Sequence, residues 1–193
     1  MIIDVVYTKL VKFIGMFYKL RNRLPHTVLR TLYFAFVHLH IAYGIELYAN
    51  TAVTHLNKLL ILNNKLLRIL QNKPYNYPSN ELYTAYKTLS IPDLHIQQIL
   101  LLVHKFVHHK YRLPITFVDY FDFNRNIHGH NTRGSNDLHV ISVNKNFGKR
   151  SIKHKASMLW NQLPNELKQF LSIRTFADRV KIFLQSAGNM TEQ

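Results

Sequence analysis

The feature that most constrains this chain is a run of apolar residues spaced by three and four at its start. Val6, Leu10, Phe13, Phe17, Leu20 and Leu24 fall on one stripe of a helix, because 3.6 residues per turn bring such positions to a common face. Lys9, Lys12, Lys19 and Arg23 lie on an adjoining face. The same period returns further along. Pro25 suits the first turn of a second helix whose predicted core face is Val28, Leu32, Ala35 and Leu39, and this helix is expected to be largely buried. Gly44 falls where the pattern loses phase, so a break or a close backbone contact is expected there. Asn50 or Thr51 can cap a third helix, with Leu56, Leu59, Leu60, Leu66, Leu67 and Leu70 as its stripe and Lys58, Lys65 and Arg68 outside.

Residues 71–80, QNKPYNYPSN, interrupt the period with two prolines and three asparagines, so a domain cut is predicted near residue 73 with 73–80 as linker. A short helix over 80–89 follows. Ser90 with Asp93 three residues on is a capping-box variant, opening a long helix with Ile96, Ile99, Leu100, Val103, Phe106 and Val107 inward and Pro114 at its end. From 116 to 147 the helical period vanishes, apart from a short strand predicted at 138–143. Helices are predicted again over 151–163 and 173–185, with a frayed tail after 187. The expected fold is mainly α: a helical bundle over 1–72, a smaller helical region over 81–187 with an irregular insertion at 116–147, and a tail at 188–193.

An apolar content of 47% in 193 residues is ample for a core. The charge is what stands apart. Lys plus Arg number 25 against 10 Asp plus Glu, a net +15, which points to a polyanionic partner, nucleic acid or anionic lipid. Basic residues outnumber acidic ones 9 to 2 over 1–72, 5 to 2 over 73–113 and 11 to 6 over 114–193. An excess spread in this way suits a long polyanion track better than one small-molecule pocket. The longest stretch free of Lys and Arg, 31–55, carries Glu46 and three histidines, which disfavours a membrane span. The N-terminus lacks the ordered basic, apolar and small-residue regions of a secretory signal, and none is expected.

Catalytic chemistry has little to stand on. With no cysteine, disulfides, thiolate zinc sites and thiol nucleophiles are excluded. Two-metal phosphoryl transfer needs clustered carboxylates, but the nearest acidic pair, Asp119 and Asp122, lies in an irregular aromatic segment. Gly-rich phosphate loops and nucleophile elbows are absent. Of the twelve histidines, His38 and His40, and His128 and His130, are too close for both imidazoles to share a helix face, though such pairs ligate metals in strands and loops, and His104 and His108, four apart on the long helix, could share an ion but lack a third ligand locally. Neither a catalytic residue, a metal nor a cofactor is expected. Trp160 reads as core, and Tyr75 and Tyr77 in the linker are the better exposed stacking candidates.

Two groups of cations remain as candidate binding residues. Lys12, Lys19 and Arg23 recur at seven and four residues, on one helical face at a separation that can follow a phosphate backbone. Lys145, Lys149, Arg150, Lys153 and Lys155 form the second group, with no acidic residue between Asp137 and Glu166. Phosphate contact of this kind carries no base specificity.

The order G-x-x-S-I from Gly148, W-N-x-L-P from Trp160 and then an amphipathic helix with basic residues resembles the extreme C-terminus of non-LTR (LINE-type) retrotransposon reverse transcriptases. KFIGMFYKLRNRLP over 12–25 and LYFAFVHLHIAYGIELYANT over 32–51 resemble blocks that follow the polymerase palm in jockey- and CR1-like elements. LNKLLILNNKLLRIL, LYTAYKTLSIPDL and IHGHNTRGSNDLHV follow in the family's order. Leu39 stands where proline is frequent in the family, and Tyr48 and Ala49 where tryptophan and glycine are usual. The resemblance implies the thumb and the region after it, without the Asp-Asp palm, fingers or endonuclease. It implies a non-catalytic role gripping RNA or DNA backbone beside a palm that a longer or separate chain supplies, within the cytoplasm or nucleus. Lys12, Lys19 and Arg23 would make the duplex grip, and the second group would hold template RNA or target DNA. A basic amphipathic helix on a membrane surface, a protein-interaction module and a functionless element remnant stand as alternatives.

Overall fold

The computed structural model describes residues 2–51, 53–127 and 134–188, and it is mainly helical. Its chain packs as two compact units, residues 2–95 with 185–188, and residues 96–184.

In the first unit the opening stripe does what its spacing dictates. Helix α1 (Ile2–Leu20) buries Val6, Leu10 and Phe17 of that stripe, with Ile3 ahead of them, whereas Phe13 and Leu20 are half-buried and Leu24, also half-buried, lies past the helix end. The helix packs on α3 (Leu39–Ala42) and α5 (Val53–Leu70). Pro25, with extended backbone, stands just before α2 (His26–Leu32), so it is a cap rather than the first helical residue. A π-helical segment (Tyr33–His38) joins α2 to α3. The predicted core face is not the one that is buried. Leu29, Tyr33, Val37 and Ile41 are buried, while Val28 and Leu39 are exposed and Leu32 is only half-buried. Each step of four along an ordinary α-helix rotates about 40° away from the previous residue. The wider π turn, seen where the Leu39 N–H reaches back five residues to the Phe34 carbonyl, absorbs part of that drift and keeps the every-fourth residues on the core. The helix is therefore half-buried, with Val28, Phe36 and Leu39 on its solvent side.

Gly44 has φ +67°, and a Cβ there would meet nothing within 4 Å. Its role is the left-handed turn into α4 (Ile45–Tyr48), not a close contact. Tyr48 and Ala49 are both buried.

The stretch 73–80 is not a domain boundary. It links α5 to α6 (Ser79–Tyr86), and these pack together inside the first unit. Leu82 and Tyr86 are fully buried, and the Gln71 amide donates to the Leu82 carbonyl at 2.9 Å. A buried polar chain ties the helices. Tyr33 Oη donates to Asn63 Oδ1 (3.2 Å), and Asn63 Nδ2 donates to Tyr83 Oη (3.3 Å), which in turn donates to Asn64. Burial pushes the Tyr33 phenol up to about 12 and raises that of Tyr83 as well.

Ser90 opens α7 (Ile91–His108) as its spacing predicts, accepting from the Asp93 N–H at 3.3 Å and donating to the Asp93 carboxylate. The boundary between the units falls within this helix. The helix stops at His108, before Pro114, which instead precedes the second of two 3-10 turns (Lys110–Arg112 and Ile115–Phe117).

The second unit continues through the short helices α8 (Asn124–Ile127) and α9 (Asn146–Lys149). In place of the predicted strand over 138–143 there is one antiparallel bridge, Phe123 with Leu138. Asn161 explains this locally: its side chain both donates to the Leu138 carbonyl and accepts from the Leu138 N–H, each at 2.9 Å. A side-chain amide thus takes the place of a ladder neighbour. Helix α10 (Ile152–Gln162), capped by Ser151, leads through α11 (Asn165–Lys168) to α12 (Ile173–Gly188). Trp160 is buried, its ring 5.9 Å from that of Phe176, as its apolar context predicts. The tail beyond 188, and His128 and His130, lie outside the described residues.

Candidate nucleic-acid interface

Because α1 commits one stripe to the core, its opposite side is left to solvent. Lys12 and Lys19 are exposed there. Arg23 follows the helix in a turn closed by its own N–H on the Leu20 carbonyl (2.9 Å), and it too is exposed. Lys9 is exposed as well, beside a shallow depression lined by Asp4, Val5 and Thr8. Asp4, the acidic residue of α1, is paired with Lys58, whose hydrogen bond holds its carboxyl below the usual range. Lys12, Lys19 and Arg23 make no ion pair among the described residues.

The second group is divided by the fold. Gly148 lets α9 close on Val143, since a Cβ there would lie 2.9 Å from the valine Cβ. Lys145, Lys149 and Arg150 are exposed around that turn. Lys153 instead faces Asp122, with Nζ 3.3 Å from Oδ2, and stands 6.0 Å from the Tyr120 ring. Lys155 is half-buried, and desolvation lowers its pKa. Five cations adjacent in sequence thus present three to solvent. The Asp122 pairing spans 31 residues, and no local pattern announces it.

The histidines serve the fold. On α7, Nε2 of His104 lies 2.6 Å from the Phe170 carbonyl oxygen, and that of His108 lies 3.1 Å from Lys168 O; just past the helix, that of His109 lies 2.7 Å from Leu171 O. A carbonyl only accepts, so these nitrogens carry the protons. His40 and His154 likewise address the carbonyls of Phe36 and Ile141. Among the described residues no three His, Asp or Glu side chains gather as a metal site. Asp119 is exposed and Asp122 is held by Lys153.

Two cations outside the predicted groups lie against tyrosine rings in the α5–α6 connection. The Arg68 guanidinium is 5.7 Å from the Tyr75 centroid, and the Lys73 ammonium is 4.4 Å from that of Tyr77. The tyrosines were legible in the sequence but their cations were not, because Arg68 sits on the outer face of a helix seven residues before Tyr75.

No family model, curated protein or solved structure matches the chain.

Proposed function

We propose that this chain is a non-catalytic binding module for nucleic-acid backbone, corresponding to the thumb and downstream region of a non-LTR retrotransposon reverse transcriptase. The observation that carries the reading is the solvent side of α1, with Lys12 and Lys19 exposed and unopposed and Arg23 following. Seven helical residues span about 10 Å, close to three phosphate rises of about 3.4 Å along one strand. Lys145, Lys149 and Arg150 supply further exposed charge in the second unit. Lys153 and Lys155 contribute less, one neutralised by Asp122 and the other half-buried. Such contacts position a duplex without reading its bases.

The membrane-surface alternative draws on the Phe and Leu face of α1, of which Leu10 and Phe17 are fully buried, while Ile2, Val5, Val11 and Met16 are exposed. Among the described residues no helix is long and apolar enough to cross a membrane.

Anisotropy titration of a random-sequence duplex of about 20 base pairs across salt concentrations tests the reading. Each lost phosphate contact flattens the slope of log K against log salt by about 0.9. Neutralising Lys12, Lys19 and Arg23 together to Gln should flatten it by about 2–3 with the circular-dichroism spectrum unchanged. An unchanged slope rejects this grip, and binding to anionic vesicles in place of duplex rejects the partner.

A further inference from the structure

Helix α5 ends at Leu70, and the chain turns through Asn72, whose φ is +53°. The Lys73 N–H bonds back to the Arg68 carbonyl at 2.9 Å, closing the helix end. A tight turn follows, with the Tyr77 N–H on the Pro74 carbonyl at 3.2 Å. Tyr77 is pinned twice. Its carbonyl accepts from Arg68 Nε and Nη2 (3.3 and 3.0 Å), and its hydroxyl donates to the Glu81 carboxylate. The turn is fixed at its base by these bonds, yet its tip carries Tyr75 at 91% exposure.

An aromatic ring so fully in water contributes nothing to the core, and its fixed setting gives it a second character. Arg68, held in place by the Tyr77 carbonyl, lies beside the Tyr75 ring, while Lys73 stands over the Tyr77 ring. The acidic residue of the turn's surroundings, Glu81, is occupied by the Tyr77 hydroxyl. What the turn offers is an open π-face with one cation beside it and a second on the neighbouring Tyr77 ring. A flat π-system joined to a negative charge matches that arrangement, and an unpaired nucleobase with its phosphate is such a ligand.

We propose that residues 72–77 form a stacking site for an unpaired base of single-stranded nucleic acid, with Tyr75 as the platform and Lys73 and Arg68 drawing the adjoining phosphate. This rests on the reading of the chain as a nucleic-acid binder. It adds a ligand class that α1 does not address, since bases in a duplex are stacked on one another and present only edges and phosphates. The arrangement is sequence-tolerant, because every base has a π-face.

Anisotropy with a 12-nucleotide oligothymidine and, separately, a blunt duplex distinguishes the two sites in the full chain. Tyr75→Ala should weaken oligothymidine binding about 5- to 150-fold, the loss of one base stack, and leave duplex affinity within twofold. Tyr75→Phe should keep oligothymidine binding within about threefold, because the ring is what stacks. Tyr75→Ala binding oligothymidine as tightly as the parent overturns the stacking site while leaving the duplex reading intact. A parent chain that binds neither oligonucleotide overturns the duplex reading, and the stacking site with it.

Discussion

Acid should weaken the second unit through His104. This imidazole is fully buried on α7, stacked at 4.2 Å and 20° on Phe176, with Nε2 donating to the Phe170 carbonyl. Its Nδ1 is buried without a hydrogen-bond partner. Protonation would place a charge there. Desolvation lowers the His104 pKa, the Phe170 hydrogen bond opposes that, and the neighbouring imidazoles of His108 and His109 lower it further. The cations near the cluster are engaged elsewhere: Lys168 Nζ is directed to the Asn161 carbonyl, and the Arg179 guanidinium lies over the Phe170 ring. With the folded pKa below the unfolded value of about 6.5, the unfolded chain binds the extra proton as pH falls. The contribution is therefore fully present above pH 6.5 and is lost progressively below it, levelling off once the folded pKa is passed. For one proton the limit is about 1.4 kcal/mol at pH 5.5. Trp160, the single tryptophan of the chain, adjoins Phe176 and reports on the same core. Urea unfolding followed by its emission from pH 5 to 8 should show this decline. His104→Gln keeps a donor for the Phe170 carbonyl but cannot titrate, so the difference between variant and parent should shift with pH by up to that amount. A constant difference between pH 7.5 and 5.5 would refute the assignment to His104.

Two further substitutions probe the first unit. Asn63 is 1% exposed between Tyr33 and Tyr83; Asn63→Ala should cost about 1–3 kcal/mol in denaturant unfolding by removing the acceptor of the buried Tyr33 hydroxyl, while Tyr83 keeps its bond to Asn64, and a loss under about 0.5 kcal/mol, within the range of an ordinary surface change, would show that the polar chain is immaterial. Gly44→Ala meets no steric obstacle, so its cost should be the left-handed backbone alone, about 1–2 kcal/mol, and an unchanged melting temperature would count against that role.

Much of the fold was legible because spacing maps directly onto helix faces. The α1 stripe, the Ser90 and Ser151 starts and the buried Trp160 all follow from local patterns. Most of the failures come from interactions between distant residues. The core face of the second helix is different: it is one residue out of phase already at Leu29 and Tyr33, before the π turn, which then keeps Val37 and Ile41 on the same face. Nothing near Leu138 signals that Asn161 will occupy its backbone groups. The stretch 73–80 has the composition of a boundary because Pro and Asn break helices, but whether a break separates domains depends on whether the flanking helices pack, which α5 and α6 do. Among the candidate binding residues, exposure on α1 was readable from periodicity, whereas the fate of Lys153 depended on Asp122.

Pairing of this kind also decides where the positive charge acts. Acidic residues in the described structure are repeatedly engaged by the fold itself: Asp4 with Lys58, Asp122 with Lys153, Asp93 at the α7 cap, and Glu81 on the Tyr77 hydroxyl. Lys12, Lys19 and Arg23, and separately Lys145, Lys149 and Arg150, are exposed and make no ion pair among the described residues, and an excess of positive charge of this kind raises self-repulsion within the folded chain. A polyanion relieves that repulsion by replacing mobile counterions with fixed phosphates, and the release of those counterions makes the binding steeply salt-dependent. Any strongly basic chain shows some such dependence, so what discriminates is whether the slope falls when Lys12, Lys19 and Arg23 are neutralised and not when an equal number of exposed cations elsewhere are.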